Sequence, residues 1–242
     1  MPAYSRVDEA MLRMMPSNKL ILDAGCGAGT IGKYLKERGN TVYGVDYDPE
    51  AVQLARKNLD KAALYDLEKG GTLPFREKFD IILLGGVVEH LKDPVTAVRR
   101  LKTCLKKDGM FIITVPNVAC WTMRLRLMAG DFTYAETGIL DRTHLHFYTL
   151  KTFRRFLKDC GLESVKMDIN PSIFRAFYPL LVMPFYRKNA KDSHDVHAAV
   201  LDSKYYRVYR SYLLPAECLF SKLWKTMFAY EFVAMAKMRH DL

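Results

Sequence analysis

The sequence predicts a doubly wound α/β fold built on a mostly parallel sheet. Short runs of apolar and β-branched residues alternate with helical stretches up to about residue 117. The first run leads into a glycine-rich turn, and the second ends on an aspartate. Strands separated by helices of this length form right-handed βαβ units on a parallel sheet.

The first half of the chain supplies most of these elements. Pro49 after Asp48 indicates a helix start, with the aspartate as the cap and the proline in the first turn. The expected strands are Lys19–Asp23, Thr41–Asp46, Ala62–Tyr65, Phe79–Leu84 and Gly109–Val115. The expected helices are Gly29–Arg38, Glu50–Asn58 and Pro94–Leu105.

The regular alternation of predicted strands and helices ends after Asn117. Helices are expected at Trp121–Ala129 and Thr149–Gly161, a strand at Glu163–Ile169 and a last strand at Tyr230–Met238. We expect a single domain over residues 1–242. Its core is 1–117, and two helical cap insertions at 118–148 and 171–227 lie on the acceptor side, over the carboxyl edge of the sheet.

Composition narrows the classes of protein. Of the 242 residues half are apolar and 26% are charged, so a buried core is expected and wholesale disorder is not. None of the five cysteines forms a Cys-x-x-Cys pair, which speaks against a zinc knuckle or a disulfide framework and for reduced thiols. Neither a signal peptide nor a transmembrane segment is visible. A cytoplasmic protein is expected.

The net charge of +10 is concentrated in the half after Asn117. Such a surplus suits nucleic acid, an anionic membrane surface or a phosphorylated substrate, and equally an ordinary solvated face. Both insertions contain basic residues together with many aromatic ones. Their arginines include Arg124, Arg126, Arg142, Arg175, Arg207 and Arg210.

The stretch "LILDAGCGAGTIG", Leu20–Gly32, fits two glycine patterns. One is the dinucleotide pattern starting at Gly27, and the other places Asp23 and Gly25 at the strand end. A pyrophosphate beside Asp23 would be repelled, whereas a ligand with an ammonium group would be attracted. The second pattern therefore fits better, and it points to S-adenosylmethionine as the ligand.

Five ordered motifs carry a resemblance to a known family: "LILDAGCGAG", "VYGVDYDPEAV", "LYDLEKGGTLPF", "KFDIILLGGVVEHLKDP" and "LKKDGMFIITVPN". In this order the chain resembles the class I S-adenosylmethionine-dependent methyltransferases, in particular the small-molecule branch that includes the ubiquinone-biosynthesis enzymes. "GILDRTHLHFYT" is more loosely similar to an element of bacterial methyltransferases associated with glycan genes. The resemblance implies a Rossmann-like sheet of seven strands whose last strand, Tyr230–Met238, is antiparallel.

The resemblance also implies a cofactor site for S-adenosylmethionine at the carboxyl edge of the sheet. Asp46 would hold the ribose and Tyr47 would lie against the adenine. Asp66 would accept a hydrogen bond from the adenine amino group, with a backbone contact from Leu67, and Gly85 would line the donor near its methyl group. The methionine end would lie against Asp23, Gly25, Gly27 and Gly29.

Several of these residues have a simpler alternative role. Gly25 and Gly27 could serve the turn alone, and Asp66 could cap the loop that follows it. Glu89 and His90 could cap the next helix, pair with each other or contact a substrate.

For the acceptor's proton we expect His144 as the base, because an imidazole titrates near neutrality. His146 would share its face of an extended segment, and Asp141 would orient one ring by a hydrogen bond. The alternative is a structural role for all three. The histidine and carboxylate spacing suggests no metal ligands.

The acceptor itself is open. A small molecule is expected, with a phosphate, a lipid tail or a quinone-like ring among the options, and peripheral membrane contact is one of them. A nucleic-acid methyltransferase is the less favoured alternative, because "LGGVVEHL" replaces the motif of amino-group methylating enzymes. A non-catalytic binding protein is the third.

Overall fold

The computed structural model of the chain describes residues 9–173, 211–212 and 214–239. Most of the 171–227 insertion, including Arg175, Arg207 and Arg210, lies outside the described residues. Within the described part a single seven-stranded sheet organises the chain, with the order β3-β2-β1-β4-β5-β7-β6. The strands are β1 Leu20–Ala24, β2 Thr41–Asp46, β3 Lys61–Leu64, β4 Phe79–Gly85, β5 Leu105–Pro116, β6 Leu162–Pro171 and β7 Ala229–Met238.

The sheet is mixed, as expected. β1 pairs in parallel with β2 and with β4, and the parallel pairing continues to β3 on one side and β5 on the other. β7 is antiparallel to both β5 and β6. The fold class predicted from the sequence, with its antiparallel last strand, is confirmed.

Helices cover both faces of this sheet. Asp48 caps α3 through Glu50 N, and Pro49 stands in its first turn, as the Asp-Pro pair predicts. The helices are α1 Glu9–Met14, α2 Thr30–Glu37, α3 Pro49–Asn58, α4 Pro94–Leu101, α5 Trp121–Met128, α6 Leu150–Asp159, α7 Leu214–Leu223 and α8 Lys225–Phe228.

Alternation along the strands divides the core into two layers. Leu22 of β1 faces one layer and Ile21 faces the other, and both are fully buried. The same alternation separates Ile82 from Ile81 in β4. Because both faces are covered, the central strands are continuous apolar runs.

Among the differences between the structure and the sequence-based elements are helix α1 and the end of α4. Helix α1 has no counterpart among the expected helices, and it packs its methionines, Met11 among them, into the same layer as Ile21. The predicted helix Pro94–Leu105 is too long, because α4 ends at Leu101 and a short 3₁₀ turn leads into β5. Leu105 pairs with Phe79 of β4, so sheet pairing overrides helical propensity there.

Residues 118–148 leave β5 and return to the same edge of the sheet. Asn117 forms a bridge with Tyr148, which closes the segment at its base. A small apolar cluster of its own includes Cys120, Met123 and Leu140. In the described part of the chain no helix is both long and apolar enough to cross a membrane.

Candidate active site

The parallel strands bring their carboxyl ends to one edge, and the candidate site lies there. The loop after β1 hydrogen-bonds to the end of β2, because Gly25 N and Cys26 N donate to Val45 O at 2.8 and 3.0 Å. Gly27 N donates to Asp46 Oδ2 at 2.8 Å. The glycine loop and the acid that ends β2 therefore form one unit.

Two glycines of this loop have different physical requirements. Gly25 has φ +85°, and a Cβ there would lie 2.6 Å from Val87 Cγ2, so a side chain would clash. Gly27 has φ +51°, and a Cβ there would meet nothing within 4 Å. Gly27 therefore borders open space in which a ligand can lie directly against the backbone.

Asp23 lies beneath this loop with only 3% of its surface exposed. Its Oδ2 atom is buried and has no hydrogen-bond partner. Burial, and secondarily the charge of Asp46, raises the pKa of Asp23 to about 7. A cationic group placed here would supply the missing partner and stabilise the ionised carboxylate.

Asp46 and Tyr47 extend this surface outward. Asp46 Oδ1 accepts from Asp48 N at 3.0 Å, so the two backbone bonds fix both carboxylate oxygens. Each oxygen keeps a further lone pair for a hydroxyl. Tyr47 is 76% exposed beside it, as a planar surface for an adenine would require. Gly85 ends β4 at the same edge.

Other predicted cofactor residues have structural partners. A Cβ on Gly29 would meet Leu59 Cγ at 3.0 Å, so this glycine allows close packing against α3. Asp66 Oδ1 accepts from the backbone amides of Glu68 and Lys69, which is the loop-capping alternative. These bonds hold the pKa of Asp66 below its usual range. Leu67 is 8% exposed, with its side chain in the core.

The 118–148 segment meets this edge at the turn after β4. Leu145 N and His146 N both donate to Glu89 O, at 2.8 and 3.1 Å. These bonds hold the histidine-rich stretch against the Glu-His turn that follows β4. Asp93 rather than Glu89 or His90 caps α4, through Thr96 N, so the capping alternative for that pair is wrong.

Glu89, His90 and His144 form a largely buried group, which we name the Glu-His-His cluster. One potential ligand or base atom of each side chain lies within 4.8 Å of the other two. The rings of His90 and His144 have centroids 4.7 Å apart in an edge-to-face arrangement. Glu89 is 2% exposed and its Oε2 has no partner, and burial raises the pKa of this carboxyl to about 8.

Hydrogen bonds fix the orientation of both rings in the cluster. His144 Nδ1 donates to Ile139 O at 3.0 Å, and His90 Nδ1 lies 3.2 Å from Thr143 O. A carbonyl accepts and never donates, so each Nδ1 carries a proton, and the lone pair of the neutral ring lies on Nε2. Burial, followed by the neighbouring His144, lowers the pKa of His90, which favours its neutral ring.

The remaining residues of the predicted catalytic set have other contacts. Asp141 Oδ1 accepts from the amide and the hydroxyl of Thr143, at 2.8 and 2.6 Å, and the hydroxyl lies 3.0 Å from His90 Nδ1. The predicted direct bond from Asp141 to a ring is thus replaced by a link through Thr143. His146 Nε2 lies 3.3 Å from Lys92 O, and its ring is not part of the Glu-His-His cluster.

Sequence spacing does not reveal the cluster as a unit, because long-range folding joins its two halves. The Glu-His pair after a buried strand is visible in the sequence, and so is His144. Thr143 and Ile139 are not, since each contributes a backbone carbonyl that no residue pattern encodes.

Comparisons with known proteins identify the family of this chain. The sequence profile of the family described as "Methyltransferase domain" matches residues 3–167. The chain belongs to this family. The resemblance to class I S-adenosylmethionine-dependent methyltransferases is confirmed, and S-adenosylmethionine is the cofactor of that class.

Two similar proteins carry the name ubiquinone biosynthesis O-methyltransferase. The chain is 32% identical over 123 residues to a ubiquinone biosynthesis O-methyltransferase of Actinobacillus pleuropneumoniae serotype 5b, covering 47% of this chain and 53% of that protein. A protein of the same name from Leptothrix cholodnii is 25% identical over 167 residues, 62% of this chain and 68% of its own length. The match thus spans about half the length of the first of these relatives.

A solved structure supports the fold. An S-adenosylmethionine-dependent methyltransferase from Methanosarcina mazei superposes with a TM-score of 0.56 at 15% identity, over 96% of this chain and 97% of that one. At this identity the likeness concerns the fold alone.

Proposed function

We propose that this methyltransferase-family protein transfers the methyl group of S-adenosylmethionine to a hydroxyl oxygen of a small-molecule acceptor. The observation that carries the proposal is the common edge of the sheet. An unpartnered buried Asp23 and an open Gly27 lie there, and the Glu-His-His cluster follows the neighbouring strand. Asp23 and Gly27 would accommodate a cationic methyl donor. The Glu-His-His cluster would assist the loss of a proton from the acceptor.

On the donor side the residues would bind and orient S-adenosylmethionine. Asp23 would pair with the donor's ammonium group, and Asp46 would accept from its ribose hydroxyls. Tyr47 would cover the adenine, with Asp66 and Leu67 at its edge. S-adenosylmethionine supplies an electrophilic methyl group. Rate then comes largely from in-line alignment and exclusion of water.

On the acceptor side the Glu-His-His cluster would receive the hydroxyl. The O–H proton leaves to a base or to water, and the oxygen's electron pair forms the bond to the methyl carbon. The C–S bond breaks, and its electron pair stays on the sulfur of the leaving thioether. In its neutral form, the Nε2 atom of His90 or of His144 would accept a hydrogen bond from that hydroxyl.

The proposed acceptor is anionic and lipid-linked, and a positively charged surface near β6 supports this proposal. A cavity of about 520 Å³ is lined by Arg13, Lys166, Met167, Asp168, Lys222 and Lys225. Arg13 pairs with Asp168 at 3.2 Å, while the lysines add positive charge. Leu219, Leu223 and Trp224 are exposed on and just after α7, as contact with an apolar tail or a membrane surface would require.

The test is a transfer assay with labelled S-adenosylmethionine across hydroxyl acceptors, each with and without a phosphate group and a lipid tail, and with RNA. We expect transfer to a phosphorylated or lipid-linked hydroxyl compound. Lys222→Glu with Lys225→Glu should raise KM for the anionic acceptor while kcat is kept. Transfer to RNA alone, or donor binding with no transfer to any acceptor, contradicts the proposal.

A further inference from the structure

We propose that Glu89, His90 and His144 bind a divalent transition-metal ion of the zinc type. The inference rests on a ligand set that folding assembles from two distant segments, the turn after β4 and the 118–148 segment. Two imidazoles and one carboxylate are a donor set that Zn²⁺ and Fe²⁺ share, whereas Mg²⁺ and Ca²⁺ prefer oxygen ligands.

The tautomers of the two rings support this inference. A metal-binding histidine usually donates its other ring N–H to a backbone carbonyl or a carboxylate. His90 and His144 both direct Nδ1 to a carbonyl, that of Thr143 and that of Ile139. The Nε2 lone pairs are thereby left as the ligand atoms. Two rings whose Nδ1–H groups are held by backbone carbonyls have the orientation that is usual for metal-binding histidines.

The cluster contains a buried carboxyl oxygen that has no hydrogen-bond partner. Glu89 Oε2 is buried and unpartnered, and the carboxylates of Asp141 and Glu231 act on Glu89 electrostatically. In the part of the chain that the structure describes, no lysine or arginine donates to this oxygen. A cation would therefore relieve the burial of an uncompensated oxygen.

The distances allow an ion after a small adjustment. Zn²⁺ binds these ligands at about 2.0–2.2 Å, which for a tetrahedral site separates ligand atoms by roughly 3.4 Å. One potential ligand atom of each side chain lies within 4.8 Å of the others, so side-chain rotations would bring the ligands to this spacing. Three protein ligands leave a fourth position open.

The open position gives the ion a role in the proposed reaction. An acceptor hydroxyl bound there would lose its proton more readily, because the ion stabilises the negative oxygen. The role rests on the proposed function, but the binding of the ion does not. In this arrangement the histidines are ligands, and the proton goes to water.

The experiment uses the full chain, stripped with a chelator and dialysed. Binding of Zn²⁺ is measured by titration calorimetry, and Co²⁺ serves as a spectroscopic probe of four- or five-coordination. We expect one ion per chain and a visible Co²⁺ spectrum. Glu89→Gln and His144→Asn should weaken Zn²⁺ binding by about 100-fold or more.

His146→Ala is the matched control, because its ring lies in the same segment but contacts Lys92 O. Its Zn²⁺ affinity should equal that of the wild type. Thermal unfolding and donor binding identify variants that fail to fold, and Glu89→Gln, which keeps the side-chain shape, is the decisive one. Lack of stoichiometric binding, or Zn²⁺ affinity unchanged in Glu89→Gln and His144→Asn, overturns the site.

Activity separates the site from the proposed function. Chelation should abolish methyl transfer and leave donor affinity intact, and Zn²⁺ or Fe²⁺ should restore the rate. Transfer that persists in the stripped protein refutes the ion's role while the methyltransferase proposal stands. Stoichiometric binding at the cluster without any methyl transfer supports the site and refutes the function.

Discussion

Replacing Gly27 by alanine isolates the contribution of the glycine loop to donor binding. The backbone amide that donates to Asp46 stays, and the new Cβ points into space with no neighbour within 4 Å. The ligand-free fold is therefore destabilised only by the left-handed backbone at φ +51°, by about 1–2 kcal/mol. For a chain of this size that lowers the Tm by about 2–8 °C.

The substitution should weaken donor binding more than it destabilises the ligand-free fold. If it lies directly on Gly27, the added methyl group overlaps it, and overpacking of this kind costs about 1–3 kcal/mol. The Kd for S-adenosylmethionine should then rise about 5- to 150-fold. Titration calorimetry gives the Kd, and circular dichroism melts give the Tm.

Gly130→Ala is the matched control for backbone strain. Gly130 has φ +72°, follows α5, and an added Cβ there would also meet nothing within 4 Å. The substitution should lower the Tm to a similar extent and leave donor affinity unchanged. Wild-type donor affinity in Gly27→Ala, with the fold intact, refutes the placement of the donor on this loop.

Three further changes test other parts of the site. Donor affinity should rise with pH through about 7, because Asp23 ionises there and then attracts the ammonium group of the donor. Titration calorimetry should show that this rise is absent in Asp23→Asn. A carboxyl whose pKa is raised by folding contributes stability below its unfolded pKa, and that stability is lost as pH rises through about 7. The free energy of unfolding of the ligand-free wild type should therefore fall between about pH 4 and 8 relative to that of Asp23→Asn. Parallel curves for the two proteins would contradict the burial argument. Asp46→Asn should weaken donor binding by roughly 2–3 kcal/mol without creating NAD binding, whereas tight NAD binding to the wild type would favour the dinucleotide pattern. Thr143→Val removes the hydroxyl between Asp141 and His90, and Zn²⁺ affinity should fall about 10-fold with donor affinity unchanged.

The sequence alone determined the sheet. Strands β1, β2 and β4 are local apolar runs bounded by turn residues, and the Asp48-Pro49 start of α3 is encoded within a few positions. Such signals depend on near neighbours in the chain, so they survive without knowledge of the fold. The exceptions include α1, which was not expected, and α4, whose predicted end was wrong because Leu105 pairs with a distant strand.

The sequence identified the residues of the cofactor side but not the separate roles of its glycines. The order of Asp23, the glycines and Asp46 identified the family, because each acid lies at a strand end and parallel strands end at one edge. Which glycine is needed for packing and which for a ligand depends on Val87 and Leu59, which approach from other elements. Only the tertiary structure separates Gly25 and Gly29 from Gly27.

The acceptor side was decided by tertiary structure. The Glu-His pair and the histidine-rich segment are visible in the sequence, but their distance is set by two backbone bonds to Glu89 O. The tautomer of each ring is set by carbonyls, which every residue carries and no pattern reveals. Chain positions fix which chemical groups are available, and long-range packing fixes which of them meet.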